Sequence, residues 1–426
     1  MKLLIAPWGN PSGWREVVYV FGGKSIKACT SLRALQEVIE PDKTIIVGLD
    51  TLAEKGENYQ DVKEDAEGKI REHADRFGLE GYEVLIAPGI GTFPNGTFHG
   101  GALDYYHYVT ARLALILLEH VGETLSIHLD LTHGINYSTI LTYKAVREVA
   151  EAISIFKETR FTAYNADPSL PSATGKLSIN IIEQSTPTPT PLTERITQKR
   201  PLEPLNLSVD ERRRLFEEEL KEVREVDDLE LSAFIGALYN GLPLALFRFY
   251  PEKGRLKEVI LASLNLYERY VEVESQGKLK VTRRVRMGND LKVYVFAYMI
   301  ATLLSANGLI FSRKKEVALS EVESLTESLF KFDERLKKRI ETDIHTLKTD
   351  LEGKEAADWQ TYNSVIGRKI GGIDERNFLA HSGFERNAVE VKKESGMLLL
   401  RYHEDKIETV AKMCQKGLKR EISLES

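Results

Sequence analysis

Only two cysteines, Cys29 and Cys414, occur in the 426 residues, far apart and with no CxxC pair. That excludes a disulfide framework and suits a reducing, intracellular compartment. Long apolar runs are also missing. The run Ala111 to Leu118 contains Arg112 and falls well short of the roughly 20 residues that a membrane helix needs. The opening stretch Met1–Trp8 is too short for a signal peptide and reads as a first buried strand. A soluble, cytoplasmic protein without membrane contact is expected. With a net charge of -6, the chain lacks the basic excess of a bulk nucleic-acid binder. A local groove stays open to it, and Lys278, Lys280, Arg283, Arg284 and Arg286 could supply one, although a solvated charged edge explains that run equally well.

Metal and cofactor signatures are absent too. The nine histidines are scattered, with no HExxH and no Cys/His cluster. His128 and His133 lie near Asp130, but strand alternation puts His128 and Asp130 on one face and His133 in a turn. Gly89-x-Gly91 is followed by Pro94 where a dinucleotide motif needs its third glycine. Gly23-Lys24-Ser25 ends like a P-loop, but Val18 stands where its first glycine belongs. No metal and no resident cofactor are expected.

What is present divides the chain. In residues 1–183, short apolar runs (Leu3–Ala6, Val17–Phe21, Thr44–Gly48, Glu83–Ala87, Leu125–Leu131) alternate with helical patterns at Asp61–Phe77, Ala102–Val121 and Tyr137–Ala152. Two further strands are expected near Ile153–Phe156 and Leu177–Ile181. Buried strands separated by helices predict a Rossmann-like, doubly wound parallel sheet. Residues 184–207 carry Pro187, Pro189, Pro191, Pro201 and Pro204 and read as an extended linker. Ser208 and Glu211 form a capping box, and 208–426 reads as mostly helical. Helices are expected over Asp210–Val226, Leu229–Tyr239, Lys253–Glu272, Leu291–Asn307, Ser320–Leu351 (with room for one break) and Lys354–Ile370, with a small hairpin of Val389–Lys392 and Met397–Tyr402 and a last helix to about Lys419. The fold class is α/β followed by all-α, and the border between a helical insert over about 208–315 and the last domain stays open.

Near the C-terminus stands Arg376-Asn377-Phe378-Leu379-Ala380-His381, after Gly371-Gly372-Ile373-Asp374. Asp374 is placed to cap a short helix that Gly383 ends. Five positions apart, Arg376 and His381 would point about 140° from each other on a helix, so one geometry that uses both is a groove between two copies. The chemistry suits RNA cut without metal. A histidine can move the proton of the attacking 2′-hydroxyl, an arginine can meet the charge growing on the phosphoryl oxygens, and an adjacent asparagine can orient the phosphate or the histidine. DNA, lacking the 2′-hydroxyl, should resist. Surface charge and a satisfied histidine would give the bare motif as well. Arg376, Asn377 and His381 nevertheless resemble the signature of the HEPN ribonuclease family.

Asp130-Leu131-Thr132-His133-Gly134-Ile135-Asn136 reads as a strand end, a tight turn and a helix start. In open parallel sheets ligands bind beyond the strands' carboxyl ends. Thr132, His133 and Asn136 offer hydrogen bonds there, Gly134 allows close backbone approach, and the helix start favours phosphate. The loop Trp8-Gly9-Asn10-Pro11-Ser12-Gly13-Trp14 offers Asn10, Ser12 and aromatic faces for base stacking; Trp8 reads as core. Gly91, in Gly89-Ile90-Gly91-Thr92, is a third candidate. These loops resemble the CARF family, Rossmann-like sensors of cyclic oligoadenylates, and CARF, linker and helical HEPN in that order resemble the CARF–HEPN ribonucleases of type III CRISPR antiviral systems. The resemblance implies a homodimer that binds a ring of adenylates, with cyclic tetra-adenylate favoured as the allosteric activator on symmetry grounds, and then cuts single-stranded RNA. Some members also open the ring, for which Asn10 and Trp14 are the candidates. The alternative is a ligand-responsive CARF regulator without nuclease activity.

Overall fold

A computed structural model describes residues 1–119, 124–168 and 175–419. They form two compact units that do not follow chain order. One comprises Met1–Thr188, Pro201–Glu219 and Leu261–Lys292; the other comprises Pro189–Arg200, Leu220–Ile260 and Val293–Ser426.

The first unit is built on strands β1 (Lys2–Pro7), β2 (Val17–Phe21), β3 (Lys24–Ala28), β4 (Lys43–Leu49), β5 (Tyr82–Ala87), β6 (Gly91–Phe93), β7 (Gly96–His99), β8 (Thr124–Asp130), β9 (Glu158–Ala166) and β10 (Lys176–Ser185). Its helices are α1 (Ser31–Ile39), α2 (Tyr59–Arg76), α3 (Ala102–Glu119) and α4 (Asn136–Ser154). The main sheet has eight strands in the order β3-β2-β10-β9-β8-β1-β4-β5. Its centre, β9-β8-β1-β4-β5, is wholly parallel, with chain order reversing between β1 and β8. That reversal is the switch point at which open α/β sheets leave a crevice beyond the strand ends. Leu3, Leu4, Ile5 and Ala6 are all buried, so β1 is covered on both faces, as its unbroken apolar run requires. On one side β10 joins antiparallel to β9, β2 runs parallel to β10, and β3 antiparallel to β2.

Several expectations need correction. Ile153–Phe156 does not start a strand. Val146, Val149, Ala150 and Ile153 are buried on one stripe of α4, so the apolar run belongs to that helix, and β9 begins at Glu158. The end of α3 expected at Gly122 lies outside the described residues. Helix α1 and strands β3, β6 and β7 escaped the sequence reading. The proline-rich stretch is not a spacer throughout: Leu202–Pro204 pairs antiparallel with Val285–Met287 in the first unit. Pro204 is tolerated because this two-stranded ribbon is all edge.

Residues 261–292 also join the first unit. The strand Leu279–Arg283 runs parallel to β7 and antiparallel to Val271–Glu274, giving a second sheet with β6 at its far edge. The helix expected to reach Glu272 ends at Arg269 for this reason. The basic run is spent on structure. Arg283 is fully buried and paired with Asp50. Arg284 pairs with Glu211 at 2.6 Å, Arg286 with Glu203 at 2.6 Å and Lys280 with Glu274 at 2.6 Å.

The second unit is mainly helical, with helices including Asp228–Asn240, Leu319–Leu329 and Glu334–Leu351. The expected break between the last two is a short 3-10 turn at Phe330–Phe332. The hairpin Val389–Glu394 and Met397–Tyr402 is present, flanked by the short strands Val317–Ala318 and Gln360–Thr361. No long helix covers 354–370. Gly353 and Gly367 adopt φ of 66° and 73°, which end helices, and only Tyr362–Val365 is helical there. Asp210–Val226 is broken by a π turn at Leu215–Glu219, and the last helix stops at Cys414. Among the described residues no helix is long and apolar enough to cross a membrane.

Candidate catalytic site and ligand pocket

In the second unit, Asp374 caps the short helix Glu375–Ala380, its Oδ1 accepting from the Asn377 amide at 2.7 Å. Phe378, fully buried, anchors this helix. His381 stands just past the helix end. Ser382 then takes a left-handed φ of 49° and Gly383 one of 81°, and the Gly383 amide returns to the Phe378 carbonyl at 2.8 Å. This tight reversal turns the His381 ring toward the helix Glu334–Leu351. There its Nδ1 lies 3.1 Å from Asp343 Oδ1. The Ser382 hydroxyl donates to the other carboxylate oxygen at 2.7 Å, and Arg339 Nε donates to the Ser382 hydroxyl at 3.1 Å.

A cavity of about 450 Å³ opens beside this group, walled by Asp343, Asn377, His381, Arg368, Lys369 and Arg386 among others. The His381 side chain keeps 60% of its surface exposed while Asp343 keeps 11%. Asn387 pins the Gly371-Gly372 loop at the rim: its Oδ1 accepts from the Gly371 amide at 2.8 Å and its Nδ2 donates to the Gly372 carbonyl at 3.1 Å. Asn377 and His381 thus share one cavity. Arg376 is exposed and is not part of its wall. Asp343, Arg368, Lys369 and Asn387 were not foreseen, since nothing in their spacing ties them to the Arg-Asn-x3-His stretch.

In the first unit, the loops after β1 and β8 meet at the switch point. The Gly9 amide donates to the His133 carbonyl at 2.8 Å. Asp130, buried at the end of β8, accepts from the Ser31 hydroxyl at 2.6 Å and from the Thr132 amide and hydroxyl at 3.0 and 2.6 Å. A side chain at Gly134 would put its Cβ 2.2 Å from Thr139 Oγ1, so only glycine closes the turn there. His133 Nε2 accepts from the Ser31 amide at 3.3 Å and lies 3.4 Å from the Tyr19 hydroxyl. Burial lowers the His133 pKa, against the opposing pull of Asp130, which favours a neutral ring.

A cavity of about 620 Å³ lies here, with Trp14, Arg15, Tyr19, Thr132, His133 and Asp167 in its wall. Of the residues expected to meet a ligand, Trp14, Thr132 and His133 line it. Asn10, Ser12, Gly134 and Asn136 belong to the same two loops but lie off the wall. Asn10 Oδ1 accepts from the Ser12 amide at 3.0 Å, and Asn136 begins α4 with a φ of 37°. Gly91 lies off this wall as well: it pairs with Phe98 in the second sheet, at the start of a hairpin. Trp8 is core, as expected, at 1% exposure. His128 bonds Tyr164 at 2.7 Å, whereas Asp130 and His133 both bond Ser31. Arg15, Tyr19 and Asp167 were missed: Arg15 directly follows the loop after β1, Tyr19 lies in β2, and only Asp167, just past β9, comes from a strand remote in sequence.

Comparison with known proteins places both sites in a family context. The model of the CARF domain of the CRISPR system endoribonuclease Csx1 matches residues 3–168, and that of the Csx1 HEPN domain matches residues 333–404. A CRISPR system endoribonuclease Csx1 from Methanocaldococcus jannaschii is 29% identical over 418 residues, covering 92% of this chain and 86% of the relative. Among solved structures, protein VC1899 from Vibrio cholerae matches 72% of this chain and 67% of its own at 10% identity and a TM-score of 0.21. Enterococcus italicus Csm6, bound to cyclic hexa-2′-fluoro-hexa-dAMP, matches 98% of this chain and 94% of its own at 7% identity and a TM-score of 0.26. Scores that low bear no argument.

Proposed function

As the chain belongs to the CRISPR-associated CARF–HEPN ribonucleases, carrying both Csx1-type domains in order, we propose that it is a metal-independent endonuclease of single-stranded RNA, switched on by a cyclic oligoadenylate. The observation that carries the proposal is His381, exposed on a cavity wall beside Asn377 and held from behind by Asp343. In the cleavage step the 2′-oxygen bonds to the adjacent phosphorus and the 5′-oxygen leaves. The products are a 2′,3′-cyclic phosphate end and a 5′-hydroxyl end. His381 takes the proton from the 2′-hydroxyl as base, and the departing 5′-oxygen takes one from the imidazolium or from water. Arg368 and Lys369, exposed at the same cavity, supply positive charge for the phosphates on either side. Arg376 stands outside the wall, so a homodimer in which one copy's Arg376 completes the other's cavity is the arrangement that would let it meet the phosphoryl oxygens.

The switch-point cavity is the proposed receptor for the adenylate ring. Thr132, His133, Tyr19 and Arg15 offer hydrogen bonds and charge, and Trp14 an aromatic edge. A ring of four matches a two-fold dimer, so cyclic tetra-adenylate is favoured. To act as a switch it must bind the cutting-competent state more tightly. Ring opening by Asn10 and Trp14 would proceed with Asn10 Oδ1 held by the Ser12 amide and one face of Trp14 covered by His133.

The test is labelled single-stranded RNA in EDTA, with and without cyclic tetra-adenylate, beside Arg376→Ala/His381→Ala. Cleavage that needs the ring and vanishes in the variant is the expected result. Cleavage without any ring removes the switch. No cleavage with rings of four or six removes the nuclease reading.

A further inference from the structure

Asp343 belongs to no motif in the sequence, yet it is the residue on which the candidate site is hung. It projects from the helix Glu334–Leu351 on the face that also carries Arg339, four residues earlier. Both of its carboxylate oxygens are used: Oδ1 faces His381 Nδ1 at 3.1 Å, and Oδ2 accepts from the Ser382 hydroxyl at 2.7 Å. Two such bonds from consecutive residues fix the plane of the carboxylate. Arg339 then locks the far side, donating to Ser382 at 3.1 Å and to the Asn240 and Gly241 carbonyls.

Ser382 takes its left-handed φ of 49° at the stop of the short helix, where the Gly383 amide returns to the Phe378 carbonyl. That stop brings His381 and Ser382 onto the same carboxylate. An imidazole whose Nδ1 faces a carboxylate carries its proton on that nitrogen and leaves Nε2 bare as a base. Nε2 has no hydrogen-bond partner among the described residues, on a ring that stays 60% exposed at the cavity wall.

We infer that Asp343 is a positioning residue for RNA cleavage, holding His381 in the Nδ1–H tautomer so that Nε2 meets the reacting oxygens. The inference rests on the reading of His381 as the proton-moving group. It acts through His381 alone and leaves the binding of RNA to the cations of the cavity.

Two readouts test it on the full chain. In nitrogen-15 spectra of histidine-labelled protein, with the His381 signal identified by its loss in His381→Ala, the unmutated protein should show Nδ1–H and Asp343→Asn should lose that preference. In RNA cleavage, Asp343→Ala and the isosteric Asp343→Asn should each lower kcat by about tenfold to a hundredfold, the range for a partner that orients a working histidine, with KM within about twofold. An Nε2–H tautomer in the unmutated protein overturns the inference. So does Asp343→Asn with unmutated kcat, whatever its tautomer. A His381→Ala protein that still cuts sinks the reading beneath it, a different result from an Asp343 variant that still cuts.

Discussion

The His133 imidazole lies against the face of Trp14, with ring centroids 4.1 Å apart and planes 27° apart. The pair ties the loop after β1 to the loop after β8, and both rings sit in the wall of the switch-point cavity. If that cavity receives an adenylate ring, the pair sets its shape. Trp14→Ala should raise the Kd for cyclic tetra-adenylate at least about fivefold, since base–aromatic contacts contribute roughly 1–3 kcal/mol each. Trp14→Phe, which keeps a ring against His133, should lose less than about threefold. Titration calorimetry decides it, and equal affinity for the alanine variant would move the ligand elsewhere.

A second prediction concerns acid. Burial first, then the charges of Lys292 and Lys144, lower the pKa of His107 to about 3 from its usual 6.5. His107 lies in α3 at 4% exposure, and its Nδ1 has no hydrogen-bond partner among the described residues. The sign follows from proton binding. Between about 6.5 and about 3 the unfolded chain takes up a proton that the folded chain refuses, so this residue costs stability as pH falls through that window and none above it. The cost is at most ~1.4 kcal/mol per pH unit. His107→Gln removes it. Urea midpoints at pH 7.5 and 5.0 should fall further for the unmutated protein than for the variant. Parallel losses would show that His107 is protonated in the folded state.

What the sequence disclosed and what it hid follow one physical rule. Leu3–Ala6, Thr44–Gly48 and Leu125–Leu131 were readable as strands because both faces of a central parallel strand are apolar, a signal contained in consecutive residues. The Asp374 cap and the Gly383 stop were readable because both act within one turn of helix. Asp343 was not, because its bond to His381 spans 38 residues. Arg283 could be read only as one member of a charged run, a groove or a solvated edge, because its carboxylate partner is 233 residues away. Strand Val271–Glu274 was absorbed into the preceding helical pattern, because pairing with Leu279–Arg283 overrode local periodicity. That Arg376 would not share a wall with His381 was readable, because five positions on a helix set the two about 140° apart.

The turn after His381 offers a third test. At Gly383 φ is 81° and an added Cβ would stand 2.7 Å from the Tyr402 hydroxyl. That hydroxyl is buried without a hydrogen-bond partner among the described residues. Gly383→Ala should therefore destabilise by about 1–2 kcal/mol from backbone conformation alone, with the clash adding to it. Tyr402→Phe alone should be neutral or stabilising, since it removes an unsatisfied polar atom. Combined with Gly383→Ala it should recover the steric part only. Chemical denaturation of the four proteins separates the two contributions. Full recovery in the double variant would mean that the left-handed backbone costs nothing here.

The fully buried Arg283–Asp50 pair predicts an asymmetry. Asp50 also accepts from the Gly89 amide at 2.7 Å and the Tyr59 hydroxyl at 2.8 Å, while Arg283 donates to the Gly89 carbonyl at 2.8 Å and the His99 carbonyl at 3.2 Å. Burial pushes the Asp50 carboxyl upward and Arg283 opposes it. With the guanidinium and two further donors around it, Asp50 is held as the carboxylate. Removing one partner strands the other charge, so Arg283→Met and Asp50→Asn should each cost about 3–5 kcal/mol. Arg283→Met/Asp50→Asn should cost much less than their sum, because no bare charge remains. A double-mutant cycle in urea measures the difference. Strict additivity would show that the two charges do not feel each other, and that the segment 261–292 is held in the first unit by its strand pairing with β7 instead.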